Sequence, residues 1–194
     1  MIRRVGVLGG TFDPPHIGHL VPAMEARDAL GLDVVLLVVA GDPWQKSAVR
    51  AVTPAEVRCD LVRRAAAGVD GLEVSDLEVR RPGPSYTIDT MEALAAERPA
   101  DELVLLLGAD AAAGLPTWHR WEELRRWPLG VLERPGHTGG PPDGFEVRRV
   151  TVSRLEVSSS EVRDRVARGR SVRFLVPEAP LAEIARLGLY RDAR

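Results

Sequence analysis

Cysteine is scarce in this sequence: Cys59 is the single one among 194 residues, which excludes an internal disulfide. Long apolar runs are absent as well. The longest, residues 34–40, falls far short of the roughly 18 residues that a membrane-spanning helix requires. The N-terminus also lacks the apolar core and cleavage site of a secretory signal. We therefore expect a cytoplasmic protein without a membrane partner.

Net charge and lysine are also low. The formal net charge of −2 gives no broad attraction to nucleic acid or anionic membranes, so anion binding would have to come from a local cluster. Lys46 is the single lysine beside 25 arginines. A lone lysine in such a sequence is a candidate for a specific role, and chance survival on a surface loop is the alternative.

Apolar runs alternate with helix-period stretches along the chain. The runs predict strands at 5–8, 34–40, 72–79, 103–107, 129–132 and 147–152. The other stretches predict helices at 20–30, 53–68, 87–98, 118–126, 158–168 and 178–187. The second helix would open with a capping box, Thr53-Pro54-Ala55-Glu56. Glycine and proline are frequent in 133–145, which predicts a mobile surface loop.

Strands that are apolar on both faces and alternate with helices indicate a mainly parallel sheet. We therefore predict an α/β fold, a Rossmann-like open parallel sheet with helices on both faces. The chain length fits one domain over 1–194, with a C-terminal helical part at about 158–194. The oligomeric state stays open, with a homo-oligomer among the alternatives.

The stretch GGTFDPPHIGHL, residues 9–20, follows the first strand and precedes the first helix. Ligands of open α/β sheets bind beyond the carboxyl ends of the strands, so chemistry is expected there. The dinucleotide fingerprint G-x-G-x-x-G is absent, and GDPWQKS lacks the glycine that precedes the lysine of a P-loop. The pattern therefore excludes a usual dehydrogenase and a P-loop NTPase.

His16 and His19 are three residues apart at the start of the predicted helix, so they share a face and can both donate to phosphate oxygens. The unpaired amides and positive dipole end of that helix also favour a phosphate. Gly18 would let a ligand approach the backbone, and Gly9-Gly10 would permit a tight turn. A structural role is the alternative for either histidine alone, but the pair in this setting favours phosphate binding.

GGTFDPPHIGH closely resembles the GGTFDPxHxGH signature of bacterial nicotinate-mononucleotide adenylyltransferases, within the HxGH nucleotidylyltransferase superfamily. PSYTIDT, GAD with LPTWHRW, the RPG at 134–136 and VSSSEVR resemble later motifs of that family in the same order, so the resemblance covers nearly the whole chain. It implies a sheet of nucleotidylyltransferase type. It also implies transfer of AMP from ATP to nicotinate mononucleotide, which yields nicotinate adenine dinucleotide and pyrophosphate in NAD biosynthesis.

The resemblance also implies roles for individual residues. His16, His19, Lys46 and Arg163 would be catalytic, and His19 would stabilise charge at the α-phosphate. Mg²⁺ would be carried by the ATP phosphates without a dedicated protein cage. The residues expected to bind ATP are Gly9, Gly10, Thr11, Phe12, His16, Gly18, His19, Gly108, Asp110, Ser159, Ser160 and Arg163.

Thr87 and Trp118 match positions that hold the nicotinate ring in the family, Trp118 by stacking on its face. Lys46 would complete the mononucleotide site near the phosphates. Core packing is the alternative for Trp118 and the favoured role for Trp121. For Asp110, capping of the next short helix is the alternative to a ribose contact.

The sequence departs from the family pattern in three places. VSSSEVR has Ser160 where threonine is usual, which keeps the hydroxyl. The loop often written PPHK reads PWQK, which removes a histidine and introduces Trp44. His119 stands where a tyrosine is common. The second and third changes concern the mononucleotide side of the expected site.

Alternative functions remain open. The acceptor could be nicotinamide mononucleotide or another phosphate such as phosphopantetheine. HIGH also occurs in class I aminoacyl-tRNA synthetases, but the chain lacks their lysine-bearing second motif and room for an anticodon-binding region. A non-catalytic nucleotide-binding module would keep the glycine-rich loop but could lose a histidine or Arg163. The arginines of 163–173 would mostly be solvated on a helix, so no nucleic-acid partner is expected.

Overall fold

The computed structural model describes residues 2–43, 46, 50–136 and 139–191 of the chain. Within these residues, six strands form one parallel sheet in the order β3-β2-β1-β4-β5-β6. The strands are β1 (Arg4–Gly10), β2 (Val34–Val39), β3 (Leu72–Ser75), β4 (Glu102–Gly108), β5 (Leu129–Glu133) and β6 (Val147–Thr151). The order reverses between β1 and β4, so the carboxyl ends of these strands border the crevice where such sheets bind ligands.

Helices follow the strands along the chain. They are α1 (Ile17–Leu30), α2 (Ala55–Ala66), α3 (Leu77–Arg80), α4 (Thr87–Glu97), α5 (Ala109–Ala113), α6 (Ser159–Ala167) and α7 (Glu178–Leu187), with 3₁₀ turns at Leu115–Thr117 and Trp121–Arg126. The predicted α/β, Rossmann-like architecture is confirmed. In the part of the chain that the structure describes, no helix has the length and hydropathy to cross a membrane.

The two faces of the sheet carry separate cores, as the continuous apolar run of β2 predicts. The even-numbered residues of β2 pack in a cluster with α4, and the odd-numbered residues pack in a cluster with α1 and α2. Each buried Val or Leu side chain contributes about 1.5–3 kcal/mol relative to an exposed one. Helices therefore cover both faces because each face of the sheet has apolar surface to bury.

A third cluster lies under the C-terminal helices. Val162 of α6 and Ile184 of α7 pack there with Leu61 of α2. The segment between α6 and α7 also reaches α1, because the Ile17 amide donates to the Leu175 carbonyl at 2.9 Å. The C-terminal part thus supports the start of α1. Residues 192–194 of its predicted range lie outside the described residues, and the single-domain division stays a prediction.

The predicted strand at 72–79 is wrong in its second half. β3 ends at Ser75, and residues 77–80 form the short helix α3. The Ser75 hydroxyl accepts a hydrogen bond from the Leu77 amide at 3.2 Å, which stabilises the turn out of the strand. Gly41 makes room for this turn, because a Cβ there would lie 2.1 Å from the Glu78 carbonyl oxygen.

Two predicted helix starts are also wrong. Pro54 precedes α2 without a side-chain cap, and the Thr53 hydroxyl instead donates to the Tyr190 hydroxyl at 3.3 Å. The helix predicted at 118–126 is a 3₁₀ turn that begins only at Trp121. Residues 118–120 are not helical, and Arg120 has a left-handed backbone with φ of 50° that separates this turn from the one at Leu115–Thr117. The short helix α5 was not predicted, because five residues are too few to show a helical period.

Candidate active site

The loop between β1 and α1 turns at a residue that is not glycine. Phe12 has a φ of 49° and is buried. The tight turn expected at Gly9-Gly10 is therefore wrong, because both glycines continue β1. Gly10 instead admits the Phe12 ring, which would lie 2.7 Å from a Cβ at that position. Since the Phe12 side chain packs in the core, the ATP contact predicted for this residue could involve only its backbone.

Gly18 lies in the first turn of α1, where two side chains crowd it. A Cβ there would be 2.8 Å from Val157 Cγ1 and 3.0 Å from His16 Nδ1. Packing thus requires this glycine, in addition to any close approach of a ligand. At Gly9, by contrast, a Cβ would meet no described atom within 4 Å. Space next to Gly9 is therefore open for a ligand.

His16 and His19 lie together, as their spacing predicts. Their ring centroids are 3.8 Å apart, and the Phe12 ring contacts His19 edge-on at 4.9 Å. The His16 backbone amide donates to Nδ1 of His19 at 3.3 Å. Because Nδ1 accepts this hydrogen bond, the proton of a neutral His19 resides on Nε2. His19 can therefore donate to a phosphate oxygen through Nε2.

Both histidines are held in the neutral form. Burial lowers the pKa of His16 to about 4, and the charge of Arg134 acts in the same direction. Burial also lowers the pKa of His19 well below its ordinary value, and the cost of placing a second positive charge beside His16 or Lys46 adds to that effect. His16 is 4% exposed, and its Nδ1 lacks a hydrogen-bond partner among the described residues. Near neutral pH the pair therefore offers uncharged donors and acceptors.

Asp13 anchors this loop, although the sequence did not single it out. It is 1% exposed, and its carboxylate accepts hydrogen bonds from Arg50 at 2.6 Å and from the Tyr190 hydroxyl at 2.8 Å. Its carbonyl accepts a third from Arg163 at 2.7 Å. Burial would raise the pKa of Asp13, but hydrogen bonds from Thr53, Arg50 and Tyr190 outweigh it and hold the pKa below its ordinary value.

The N-terminus of α6 lies against the same loop. Ser158 caps the helix, and the Ser159 hydroxyl donates to the Pro14 carbonyl at 2.9 Å. Arg163 donates to the Ser160 hydroxyl at 3.1 Å. The structure thus brings three predicted phosphate-binding residues of α6 beside the loop that precedes His16. A depression of about 360 Å³ at this helix start is lined by Arg134, Arg154, Glu156, Val157, Ser158 and Glu161.

A cavity of about 320 Å³ opens beyond the carboxyl ends of β1 and β4, where the strand order reverses. Its volume is that of a small-molecule site. The predicted site residues that line it are Gly9, Gly10, Thr11, Lys46, Thr87, Gly108 and Trp118. Asp110 is not among the lining residues and is exposed on α5. The structure therefore brings the predicted mononucleotide residues together and leaves Asp110 apart from them.

Aromatic side chains form one wall of the cavity. The rings of Tyr86 and His119 lie 4.4 Å apart, and both residues line the cavity beside Trp118. Trp118 is half-buried and also packs against the core cluster of α4, so it both lines the cavity and contributes to the core. Trp121 packs against the same core, as expected, and stacks on Phe145 with centroids 6.4 Å apart.

Lys46 is exposed at the rim of the cavity. Desolvation by the surrounding protein lowers its pKa, and Arg50 and Arg163 lower it further, whereas Asp13 raises it. Neighbouring cations that repel one another favour a bound anion such as phosphate. Trp44, where the loop departs from the family pattern, lies outside the described residues.

Arg58 supports the site and was missed by sequence reasoning. It is 1% exposed and donates to three backbone carbonyls: Thr53 at 2.7 Å, Thr11 at 2.7 Å and Gly41 at 3.1 Å. Burial lowers its pKa, while the charge of Asp13 raises it. Arg58 thus ties the loop after β1 to the loop after β2. An arginine on the apolar stripe of a predicted helix was the signal available in the sequence.

Comparisons with known proteins agree with this geometry. The cytidylyltransferase-like family matches residues 7–165 of the chain. The "Probable nicotinate-nucleotide adenylyltransferase" of Pseudomonas syringae pv. tomato is 45% identical over 211 residues, which cover 97% of this chain and 94% of the relative. The relative of the same name from Leifsonia xyli subsp. xyli is 45% identical over 195 residues, with 97% and 94% covered.

A solved structure shares the fold. The Plasmodium falciparum nicotinic acid mononucleotide adenylyltransferase complexed with NaAD superposes with a TM-score of 0.77. The superposition covers 97% of each chain at 17% sequence identity. At this identity the likeness concerns the arrangement of strands and helices, and the site residues have to be argued from this chain itself.

Proposed function

The chain belongs to the cytidylyltransferase-like family and, within it, to the nicotinate-nucleotide adenylyltransferases, and from this membership we propose how its residues carry out the reaction. The enzyme transfers AMP from ATP to nicotinate mononucleotide and releases pyrophosphate, a step of NAD biosynthesis. The observation that carries the assignment of roles is the neutral His16–His19 pair at the start of α1, which follows a loop that leaves the wall of a 320 Å³ cavity.

Charge stabilisation at the α-phosphate is the role of the histidine pair. In-line attack by a phosphate oxygen of the mononucleotide on the α-phosphorus expels pyrophosphate, so the protein mainly aligns the substrates and stabilises charge. Nε2 of His19 would donate to an α-phosphate oxygen as negative charge spreads. His16 would supply a second contact to the ATP phosphates. The backbone hydrogen bond to Nδ1 of His19 presets the tautomer that this role needs.

The start of α6 would hold the β- and γ-phosphates. Ser159, Ser160 and Arg163 offer hydroxyls and a guanidinium beside the first-turn amides of this helix. Burial lowers the pKa of Arg163, as does Arg50, yet a guanidinium stays charged in proteins. Around the adenosine, Gly108 and Asp110 remain the proposed contacts. The proposal for Asp110 requires that ATP extends beyond the cavity.

The cavity itself would take the mononucleotide. Trp118 presents an aromatic wall for the nicotinate ring, and Thr87 opens α4 at the same cavity. Lys46 at the rim would bind a phosphate. Residues Gly9, Gly10 and Thr11 would allow the two substrates to meet against the backbone at the end of β1.

The site suits a metal ion that arrives with the nucleotide. Enzymes of this family generally use a divalent metal with ATP, and we infer Mg²⁺. Both carboxylate oxygens of Asp13 are already bonded, to Arg50 and Tyr190, and Lys46 and Arg163 near it are cations. Such a donor set fits a metal held by phosphate oxygens and water. Mg²⁺ would neutralise phosphate charge there.

Pyrophosphate release with three acceptors tests the function. Purified enzyme is incubated with Mg·ATP and, separately, with nicotinate mononucleotide, nicotinamide mononucleotide or phosphopantetheine. We expect kcat/KM for the first to exceed the others by about tenfold or more, which is roughly 1.4 kcal/mol of transition-state discrimination. Equal rates with the amide would contradict the preference for the acid.

His19→Ala tests the role of His19 in the chemical step, in the same assay. Loss of a preorganised donor to a developing oxyanion should lower kcat by about 10² or more, while the KM for ATP changes much less. The variant's thermal melt checks that it is folded. If kcat stayed within about threefold of the parent, the role assigned to His19 would be wrong.

A further inference from the structure

Glu78 is a buried acid in the cavity that the roles above do not use. Its residue is 7% exposed, and it lines the cavity together with Tyr86, Thr87 and Trp118. Among the described lining residues, Glu78 is the one carboxylic acid and Lys46 is the one lysine or arginine. Lys46 is at the exposed rim, whereas Glu78 is in the buried part. The cavity therefore presents a cation at its mouth and an anion inside.

The Glu78 carboxylate is held by a chain of hydrogen bonds. The Thr90 hydroxyl donates to Oε1 at 2.5 Å, and Arg81 donates to the same hydroxyl at 3.3 Å. Successive donors of this kind polarise one another and strengthen the bond to the acceptor. Oε2 accepts no hydrogen bond from the described residues. One carboxylate oxygen is thus fixed, and the other is available to a ligand.

The backbone around Glu78 is fixed as well. Its carbonyl lies so close to Gly41 that a Cβ there would be 2.1 Å away, and the Gly41 amide donates to the Ser85 hydroxyl at 3.0 Å. Thr90 is three residues beyond Thr87 on α4, so both face the same side of the helix. Glu78 is therefore positioned next to the helix face that carries Thr87, the residue proposed to hold the nicotinate ring.

The charge pattern of the cavity matches that of the acceptor. In nicotinate mononucleotide the ring nitrogen is quaternary through its glycosidic bond, so the ring carries a positive charge and the phosphate a negative one. We propose that Glu78 is the counter-ion of this pyridinium ring and determines specificity for an acceptor whose ring is cationic. The inference rests on the proposed function. The face of Trp118 would favour the same charge through a cation–π contact.

A pair of ligands that differ in ring charge tests this assignment. Nicotinate mononucleotide and its 1,4-dihydro form have the same phosphate, ribose and carboxylate, but the reduced ring is uncharged. Calorimetry measures the dissociation constant of each, without ATP, for the wild type, Glu78→Gln and Glu97→Gln. Glu78→Gln keeps an acceptor for Thr90 and removes the charge. Glu97 is exposed at the end of α4 and provides the control for loss of one negative charge.

We expect the wild type to bind the oxidised form about tenfold more tightly than the reduced form, which is 1.4 kcal/mol. The ratio should fall to within about twofold in Glu78→Gln through weaker binding of the oxidised form alone, and it should persist in Glu97→Gln. If Glu78→Gln fails to fold, Thr90→Val is the alternative. It removes the hydrogen bond that positions the Glu78 carboxylate, so the ratio of the two dissociation constants should fall by about threefold.

Other outcomes overturn the inference in recognisable ways. An unchanged ratio in Glu78→Gln shows that the carboxylate does not sense the ring charge. If Glu78→Gln weakens the binding of both ligands equally, the Glu78 carboxylate contacts the ribose hydroxyls. If the variant binds both ligands more tightly, the carboxylate lies near the nicotinate carboxylate. A wild type that binds neither ligand also overturns it. A wild type that binds with the expected ratio but releases no pyrophosphate overturns the proposed function instead.

Discussion

Single residues of this site act through the protonation state that their surroundings impose. His16 and His19 are neutral because burial outweighs the gain from a positive charge. Asp13 behaves in the opposite way, since its hydrogen bonds outweigh burial and stabilise the carboxylate. The segment from the end of β1 to the first turn of α1 therefore carries an anion that binds its scaffold and two uncharged imidazoles.

Loss of stability in acid should reveal the buried His16. Its pKa is about 4 when folded and 6.5 as an ordinary histidine. Between these values the unfolded state binds more protons, so stability falls as the pH falls. From pH 7.5 to 5 the wild type should lose about 2 kcal/mol more unfolding free energy than His16→Gln. Urea unfolding at both pH values measures this. An equal pH dependence would mean that folded His16 titrates as an ordinary histidine.

Trp118 should affect one substrate and not the other. Trp118→Ala removes an aromatic contact of about 1 kcal/mol, so the KM for nicotinate mononucleotide should rise about fivefold while the KM for ATP stays within about twofold. Two-substrate kinetics measure both. Trp121→Ala is the matched control, because Trp121 packs against the same core but does not line the cavity, and it should lower the melting temperature with unchanged KM values. An unchanged mononucleotide KM in Trp118→Ala would assign Trp118 to packing alone.

At the scale of elements, the site depends on how loops are fastened between strands and helices. α2 does this through Arg58, which binds carbonyls in the loops after β1 and β2 and before its own helix. α6 does it through Ser159 and Arg163, which bind the loop before α1. Most of the candidate site residues lie in the segments that follow the strands, so these hydrogen bonds decide where the functional groups lie.

Removal of the Arg58 guanidinium should destabilise the whole fold. Arg58→Met leaves three carbonyls without their donor, and we expect a loss of about 2–4 kcal/mol in unfolding free energy by urea titration. Arg58→Lys should restore less than half of it, because one ammonium cannot match a planar fork that reaches three acceptors. Arg64→Met is the control on the same helix, because Arg64 is exposed and the loss of its pairs with Asp60 and Glu183 should lower the unfolding free energy far less. Comparable losses in both Met variants would refute a special role of Arg58.

At the scale of the whole molecule, the C-terminal part of the chain packs against the first loop. Tyr190, near the C-terminus, donates to Asp13 in the first loop, and the cluster under α6 and α7 packs on α2. The C-terminal part therefore holds the loop between β1 and α1 through hydrogen bonds from Ser159, Arg163 and Tyr190. The net charge of −2 conceals a local excess of cations, since Arg50 lies close enough to lower the pKa of both Lys46 and Arg163.

The sequence by itself determined the six strands, the longer helices between them, the parallel sheet and the proximity of His16 and His19. These features depend on short-range periods and spacings, which a chain shows before it folds. Its motifs also indicated the reaction, which the names of its relatives support, and they picked out Thr87 and Trp118, which line one cavity with the end of β1.

Only the tertiary structure decided which groups complete the site. Asp13 binds Arg50 and Tyr190, residues 37 and 177 positions away, and no local pattern pairs them. The alternation of residues 72–79 predicted one strand, but β3 ends at Ser75 and the chain then turns against Gly41. Glu78 lines the cavity because of this turn. Such contacts form between segments that are distant in the sequence and pack together in the interior. Their energies therefore depend on the folded arrangement and not on the hydrophobic period of any one segment.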